Sequence, residues 1–360
     1  MERYAIAIVG AGIAGASLAA ELAGSGRVVL LEAEAQPGYH TTGRSAAFWT
    51  ESYGGAPIQP LTTASEPYLH DGGFLTARGA LTIGTASSEV AIDAFVAEFS
   101  SLGVRIERLD RSAVEAMVPG VLPQWTAGAL ERSCCDIDVA ALHQHCLRLA
   151  KRGGVQVLTD ARLASAQSGS TGWRLGLADG RSLACDVVVD AAGAWADPVA
   201  QICGIAPLGI APLRRTIAQV RVDPPAPSSL PLVLDIDDRF YFKPDAGRLW
   251  LSPQDETPSL PCDAAPEEID VATAIERLGN VVDWRVEAVE HRWAGLRSFA
   301  PDRLPVYGFD PGNPRFFWFA GQGGFGIQTA PAAASLAARL IRGETGGEID
   351  PQPYSAARFR

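Results

Sequence analysis

The chain opens on a short apolar run, Tyr4-Ala-Ile-Ala-Ile-Val9, followed by glycines at 10, 12 and 15 and an alanine-rich stretch to Leu22. A second apolar run, Val28-Val-Leu-Leu31, ends in Glu32. Short apolar runs bounded by turn residues suit strands buried on both faces, and the longer stretch between them suits a helix packed on those strands. The pattern predicts strand, glycine turn, helix, strand.

Downstream, Leu81–Ile83 reads as a strand and Val90–Phe99 as an amphipathic helix by its apolar spacing. Asp138 is placed to cap a helix over Val139–Arg152, and strands are predicted at Val155–Leu158 and Trp173–Leu177. The run Val187-Val-Val189 within Cys185–Asp190 predicts another doubly buried strand, with Ala191-Ala-Gly193 small enough to lie close to a ligand. Three further segments have strand composition, Arg214–Val222, Arg239–Lys243 and Arg248–Leu251, with a turn expected at Pro244–Gly247. A helix over Pro266–Leu278 follows. Strand Phe316–Ala320 then leads through a second glycine-rich turn, Gly321-Gln-Gly-Gly-Phe-Gly326, into a helix over Ala330–Ile341. Dinucleotide-fold patterns thus frame two stretches of different character. No long-period repeat is present.

Composition narrows the class. With 360 residues and 47% hydrophobic content the chain can bury a substantial core. Its 41 acids against 30 bases give a net charge of −11, which disfavours nucleic acid and anionic membrane as partners. The stretch Ala5 to Ala23 is apolar enough to suggest a signal peptide or a membrane span, but the three glycines, Glu2 and the strand at 28–31 oppose both. A cytoplasmic location with no transmembrane segment is expected. The six cysteines show no metal-type spacing, and His143 and His145 point to different sides of their helix, so no metal site is expected.

Each opening glycine has its own task. Gly10 makes the turn, Gly12 lets backbone approach a pyrophosphate, and Gly15 lets the helix pack on the strand. Phosphates would sit at the helix N-terminus, where free N–H groups and the dipole favour anions. Glu32 ends the second strand, where a carboxylate accepts from a ribose 2′-OH, and this argues against NADP. The broken stretch Ala33–Ala47 either runs along an extended cofactor or is an ordinary surface loop.

Taken together, Gly10–Gly15 with Glu32, Thr42-Gly-Arg-Ser-Ala-Ala47, Val189-Asp-Ala-Ala-Gly-Ala-Trp195, Trp293-Ala-Gly-Leu-Arg-Ser-Phe299 and Gly321–Gly326 resemble the FAD-dependent D-amino acid oxidase and glycine or sarcosine oxidase family, over nearly the whole chain. Gln36–His40, Tyr241–Gly247 and Gly324–Thr329 are most similar to the bacterial D-arginine dehydrogenase type. The resemblance implies an α/β plus α+β fold. A Rossmann-like FAD-binding domain (1–47, 138–213, 295–360) would be interleaved with a substrate domain on an antiparallel sheet (48–137, 214–294).

The resemblance further implies non-covalent FAD, held by Gly10, Gly12, Ile13, Ala14, Gly15, Glu32 and Ala33 at the ADP half. Thr42, Gly43, Arg44, Ser45, Ala47, Ala192, Gly193 and Trp195 would line its middle. Gly321, Gln322, Gly323, Gly324, Gly326, Ile327 and Gln328 would lie at the isoalloxazine edge. An amino acid substrate needs its carboxylate anchored, and an arginine fork suits this better than lysine. The resemblance places that fork at Arg297, with Tyr53, Arg215 and Tyr241 around it and the Gly324 carbonyl near the amine.

On these grounds the expected reaction takes a D-amino acid, transfers its Cα hydrogen as hydride to flavin N5, and releases an imino acid that hydrolyses to keto acid and ammonia. A quinone, another carrier or oxygen would take the electrons. Two positions depart from the D-arginine type. Phe48 stands where it has a histidine, and Ala80 where it has the glutamate that holds a guanidinium. The side-chain pocket, assigned to Phe48, Thr50, Glu51 and Ala80, is therefore expected to prefer apolar over cationic substrates, unless Glu51 folds inward. Arg297 could instead be a domain-interface ion pair and Tyr241 a core aromatic. Only one of Arg214 and Arg215 can enter a site, since they alternate on a strand. Tyr53, in a glycine-rich loop, is expected to act as a lid. Oxidation of a secondary amine or a 2-hydroxy acid, and a non-catalytic flavin-binding role, are the alternatives.

Overall fold

In the computed structural model, which describes residues 1–359, the two apolar runs form adjacent parallel strands. Glu2–Val9 lies between Val28–Leu31 and Ser182–Asp190, with Gln156–Leu158 outside Val28–Leu31 and Asn313–Ala320 pairing with the end of Ser182–Asp190, all in parallel. Antiparallel strands Gly172–Leu177, Leu163–Gly169 and Val306–Asp310 complete this eight-stranded sheet. Helices Ile13–Glu21, Val139–Arg152 and Ala330–Arg342 bury their apolar residues in one core with it. The strands of the parallel core are buried on both sides, which is why their sequence shows runs rather than alternation.

A second, ten-stranded sheet is built on Ala211–Asp223 and Arg285–Phe299, which pair antiparallel along nearly their whole length. Arg248–Ser252, Tyr241–Asp245, Leu232–Asp235, Ala80–Thr85, Trp125–Glu131 and Ile106–Asp110 extend it on one side and Gln322–Gly323 on the other. Leu232–Asp235 runs parallel to Ala80–Thr85, the one departure along this path from the expected antiparallel sheet. The turn expected at 244–247 is shorter. Pro244 and Asp245 continue the strand, and Ala246 and Gly247, with φ of 46° and 78°, make a two-residue hairpin turn.

The boundaries expected at 213/214 and 294/295 fall inside strands Ala211–Asp223 and Arg285–Phe299, so Arg297 is carried by the second sheet. Arg360, the last residue of the 295–360 segment, lies outside the described residues. Helix Gln59–Asp71 and strands Ile106–Asp110 and Trp125–Glu131 have no counterpart among the predicted elements. No helix among the described residues is long and apolar enough to cross a membrane.

Candidate active site

The parallel strands all point their carboxyl ends at one place, where open α/β sheets bind ligands. There Gly10 adopts φ of 100°, and a Cβ on it would lie 2.5 Å from the Ala191 carbonyl oxygen; a Cβ on Gly15 would overlap the Gly10 carbonyl. The two turns therefore pack backbone to backbone and leave a cradle above Gly12. Thr42 Oγ1 accepts from Ile13 N at 2.9 Å, fixing one free N–H of the helix start. Glu32, almost fully buried, accepts from Ala11 N at 2.9 Å and Glu34 N at 3.0 Å. That leaves carboxylate lone pairs for a ribose.

From this cradle a cavity of about 780 Å³ runs to the second sheet. It is lined by Gly10, Gly12, Ile13, Ala14, Glu32, Ala33, Thr42, Arg44, Ser45, Ala47, Ala192, Gly193, Trp195, Gln322, Gly323, Gly324, Gly326, Ile327 and Gln328. Gly15, Gly43 and Gly321 lie outside the lining. Gly15 gives close helix packing, Gly43 donates to the Gly38 carbonyl at 2.8 Å, and Gly321 turns the chain at φ of 72°. Two lining residues have other partners than expected. The Arg44 guanidinium binds Asp263 and the Ala264 carbonyl, and Gln328 donates to Thr62 Oγ1 at 2.9 Å and the Tyr53 carbonyl at 3.2 Å. The stretch 33–47 thus borders the cavity and is no ordinary surface loop. An elongated cavity, a phosphate-sized glycine cradle and a free carboxylate at one end fit FAD.

At the far end of the cavity stand Tyr53, Arg215, Tyr241, Arg297 and Gly324. Arg215 pairs with Gly295 across the two long strands, so Arg215, Gly295 and Arg297 share one sheet face. Arg214 points the other way, to Glu267 at 2.5 Å and Asp270 at 3.0 Å on the flanking helix. Arg297 Nη2 donates to Tyr53 Oη at 2.8 Å. Burial pulls its guanidinium down from the ordinary value, with Tyr53 opposing, but an arginine remains a cation. Arg215 is committed elsewhere, its Nε to the Asp255 carbonyl at 2.9 Å and its Nη1 to Gln254 at 3.2 Å. Tyr241 is a buried phenol pushed up by that burial, with Arg215 opposing. Phe48 packs edge-on against Tyr53 at 5.3 Å and Tyr241 at 6.0 Å.

The other three residues expected in the side-chain pocket do not line the cavity. Ala80 is covered in a cluster with Tyr241 and Cys134. Glu51 turns to Thr63, at 2.5 Å, so its charge does not fold inward. Thr50 is drawn to Glu131, a buried acid that the sequence reading missed. Glu131 accepts from Thr50 Oγ1 at 2.6 Å, Glu51 N at 2.8 Å, and Ser52 Oγ and N at 2.5 and 3.2 Å. It fastens the loop that presents Tyr53. An acid closing the otherwise uncharged strand Trp125–Glu131 was the available signal. Among the described residues no group of His, Cys, Asp and Glu gathers as a metal site.

The profile of the FAD dependent oxidoreductase family (DAO) matches residues 5–340. Glycine oxidase of Geobacillus kaustophilus (strain HTA426) is 26% identical, over 99% of this chain and 97% of that protein. A crystal structure of glycine oxidase from the same species has a TM-score of 0.86 at 22% identity, covering 99% of this chain and 98% of that one. That of L-proline dehydrogenase from P. horikoshii has 0.84 at 20%, covering 96% and 95%. The hydrogen cyanide synthase subunit HcnC of Pseudomonas aeruginosa is 25% identical over 74% of this chain, which spans 63% of that protein's length. The finer likeness to the D-arginine dehydrogenase type finds no support among these relatives. Profile and cradle agree on the cofactor and on the class of chemistry: the chain belongs to the FAD dependent oxidoreductase family and is an FAD-dependent enzyme.

Proposed function

We propose that the protein oxidises amino acids at Cα, with D-amino acids of apolar side chain as its preferred substrates and an imino acid, then a keto acid and ammonia, as products. The observation that carries this reading is the buried Arg297 guanidinium, hydrogen-bonded to Tyr53, at the end of a cavity continuous with the glycine cradle. Bound FAD supplies the two-electron acceptor. Arg297 binds the carboxylate as a fork, and the Tyr53 and Tyr241 hydroxyls lie at hand for its oxygens. Arg215 holds the neighbouring Gln254–Glu256 segment and adds positive charge to the same end. Phe48 and Tyr241 form an aromatic wall that excludes water from the reacting carbon.

Among the described residues no histidine faces this end of the cavity. Loss of the amine proton falls to solvent, Tyr53 or the Gly324 carbonyl. A cationic side chain would meet no free counter-charge near Phe48, since Glu51 is bonded to Thr63 and Glu131 is saturated by the 50–52 loop. The near full-length similarity to glycine oxidase favours a second reading on the same scaffold, oxidation of an N-substituted glycine or of D-proline.

Anaerobic mixing of the purified flavoprotein with D-amino acids, their L-enantiomers, N-methyl amino acids and 2-hydroxy acids tests both. Bleaching by apolar D-amino acids supports the first, and bleaching by the N-substituted members alone supports the second. Bleaching by no member defeats the proposal.

A further inference from the structure

The substrate anchor already holds a carboxylate from its own chain. Glu256 Oε1 accepts from Arg303 Nη2 at 2.8 Å, Arg297 Nη1 at 3.2 Å and Arg215 Nη2 at 3.4 Å. The Arg215 and Arg297 side chains are 8% and 11% exposed and that of Arg303 is 51% exposed, so the three form a line from the interior to the surface. Arg215 pins the Gln254-Asp255 backbone and side chain with its remaining donors. The Glu256 side chain itself is one-third exposed. Burial pushes its carboxyl up, but the Arg303 hydrogen bond and the charges of Arg297, Arg303 and Arg215 outweigh this and hold it below the ordinary carboxylate range. It is therefore an anion among three cations.

We propose that Glu256 is an internal competitor for the carboxylate anchor: a substrate carboxylate gains both terminal nitrogens of Arg297 only as Glu256 moves outward onto Arg303. Arg297 engages Tyr53 through Nη2 and Glu256 through Nη1. A guanidinium has donors to spare, so the conflict is one of charge: a substrate carboxylate would share the cation with a second anion. Tyr53 can turn its own O–H toward the new oxygen, whereas Glu256, acceptor only, repels it and is drawn out to Arg303. Each ligand then binds with an affinity reduced by the fraction of molecules in which Glu256 is inward. A bare small carboxylate is thereby refused, whereas an amino acid that also fills the aromatic wall can displace it. Glu256 becomes an affinity-determining and specificity-determining residue of the site. This deepens the reading of Arg297 as the carboxylate anchor and rests on it.

The holoenzyme is titrated with benzoate, an unreactive carboxylate, followed by the shift in flavin absorbance. Glu256→Gln keeps shape and removes the competing charge, so benzoate is expected to bind about tenfold more tightly. Arg303→Met removes the outward partner from a half-exposed position and is expected to weaken benzoate by about two- to fivefold. Arg297→Met is expected to abolish binding. Unchanged or weaker binding by Glu256→Gln, with binding still abolished in Arg297→Met, overturns the competitor role and leaves the anchor standing. Should Glu256→Gln lose its flavin on purification, tighter or unchanged binding in Arg303→Met overturns it equally. Undiminished binding in Arg297→Met overturns the anchor and the competitor together.

Discussion

Tyr53 Oη and Arg297 Nη2 lie 2.8 Å apart although 244 residues of sequence separate them. One belongs to the loop after the cofactor-lining stretch and the other to the longest strand of the second sheet, so this hydrogen bond joins the two halves of the site. Tyr53→Phe removes the hydroxyl and keeps the ring contacts with Phe48 and Phe325, both at 5.3 Å. Loss of one hydrogen bond to a charged group should raise KM by about tenfold with little change in thermal stability. Steady-state kinetics and a melting curve check both.

Glu131 should matter without touching substrate. It holds Thr50, Glu51 and Ser52 through four hydrogen bonds, and Glu131→Gln replaces half of an acceptor-only group by a donor that faces other donors. A stability loss of about 1–3 kcal/mol is expected, together with a higher KM because the Tyr53 loop loosens. A melting temperature equal to that of the parent enzyme would show that the loop does not depend on this acid.

At Gly324 a Cβ would overlap the Arg297 guanidinium. The obstacle is the far end of a flexible side chain, so Gly324→Ala should fold and keep FAD while Arg297 is pushed from its place. KM is expected to rise at unchanged flavin content, which absorbance and kinetics measure separately. Loss of flavin instead would mean that the glycine serves the cofactor.

Asp190, at the carboxyl end of a central strand, is fully buried. Its Oδ1 accepts from Ala192 N at 3.1 Å and its Oδ2 has no partner among the described residues. Burial pushes its carboxyl well above the ordinary range, the Ala192 hydrogen bond opposing and Asp197 adding. From the unfolded value of about 4 upward, the unfolded chain ionises here while the native state keeps its proton. The unfolded state then binds fewer protons, and stability falls as pH rises through that window. Asp190→Asn removes this dependence, so its Tm should gain on the parent enzyme's at pH 8 and much less at pH 4. An equal difference at both values would contradict the assignment.

Local chemistry explains which parts of the fold were legible. Helix Val139–Arg152 was readable to the residue because Asp138 caps it, its side chain accepting from Ala141 N at 2.9 Å, and because its apolar face is strongly periodic. The glycine turn and Glu32 were equally readable, since one strand, one helix and a second strand fix their spacing along the chain, although the turn itself packs on distant Ala191. Helix Gln59–Asp71 was hidden by Pro60 and Pro67 and by a polar composition. The outer half of strand Arg285–Phe299 was hidden because Arg285, Glu287 and the run Val289–Arg292 are exposed and mostly charged or polar.

Site residues followed the same rule. Arg297 was singled out because it sits in a recognisable string, and Arg215 was named by the same resemblance; strand alternation says that only one of Arg214 and Arg215 can face the cavity, and it is Arg215 that does. Glu256 acts through residues 41 to 47 positions away and no local pattern marks it, whereas Glu131, which reaches back 79 to 81 positions to its loop, was marked only as the one acid of its strand.

In the proposed reaction Arg297 anchors the carboxylate of the oxidised molecule. Stopped-flow measurement of the reductive half-reaction, under anaerobic conditions and with the best substrate of the panel, separates binding from flavin reduction. In Arg297→Met, which removes the charge and keeps much of the length, the Kd should rise by about 100-fold, the value for two charge-assisted hydrogen bonds. A Kd unchanged from the parent enzyme would contradict that role for Arg297.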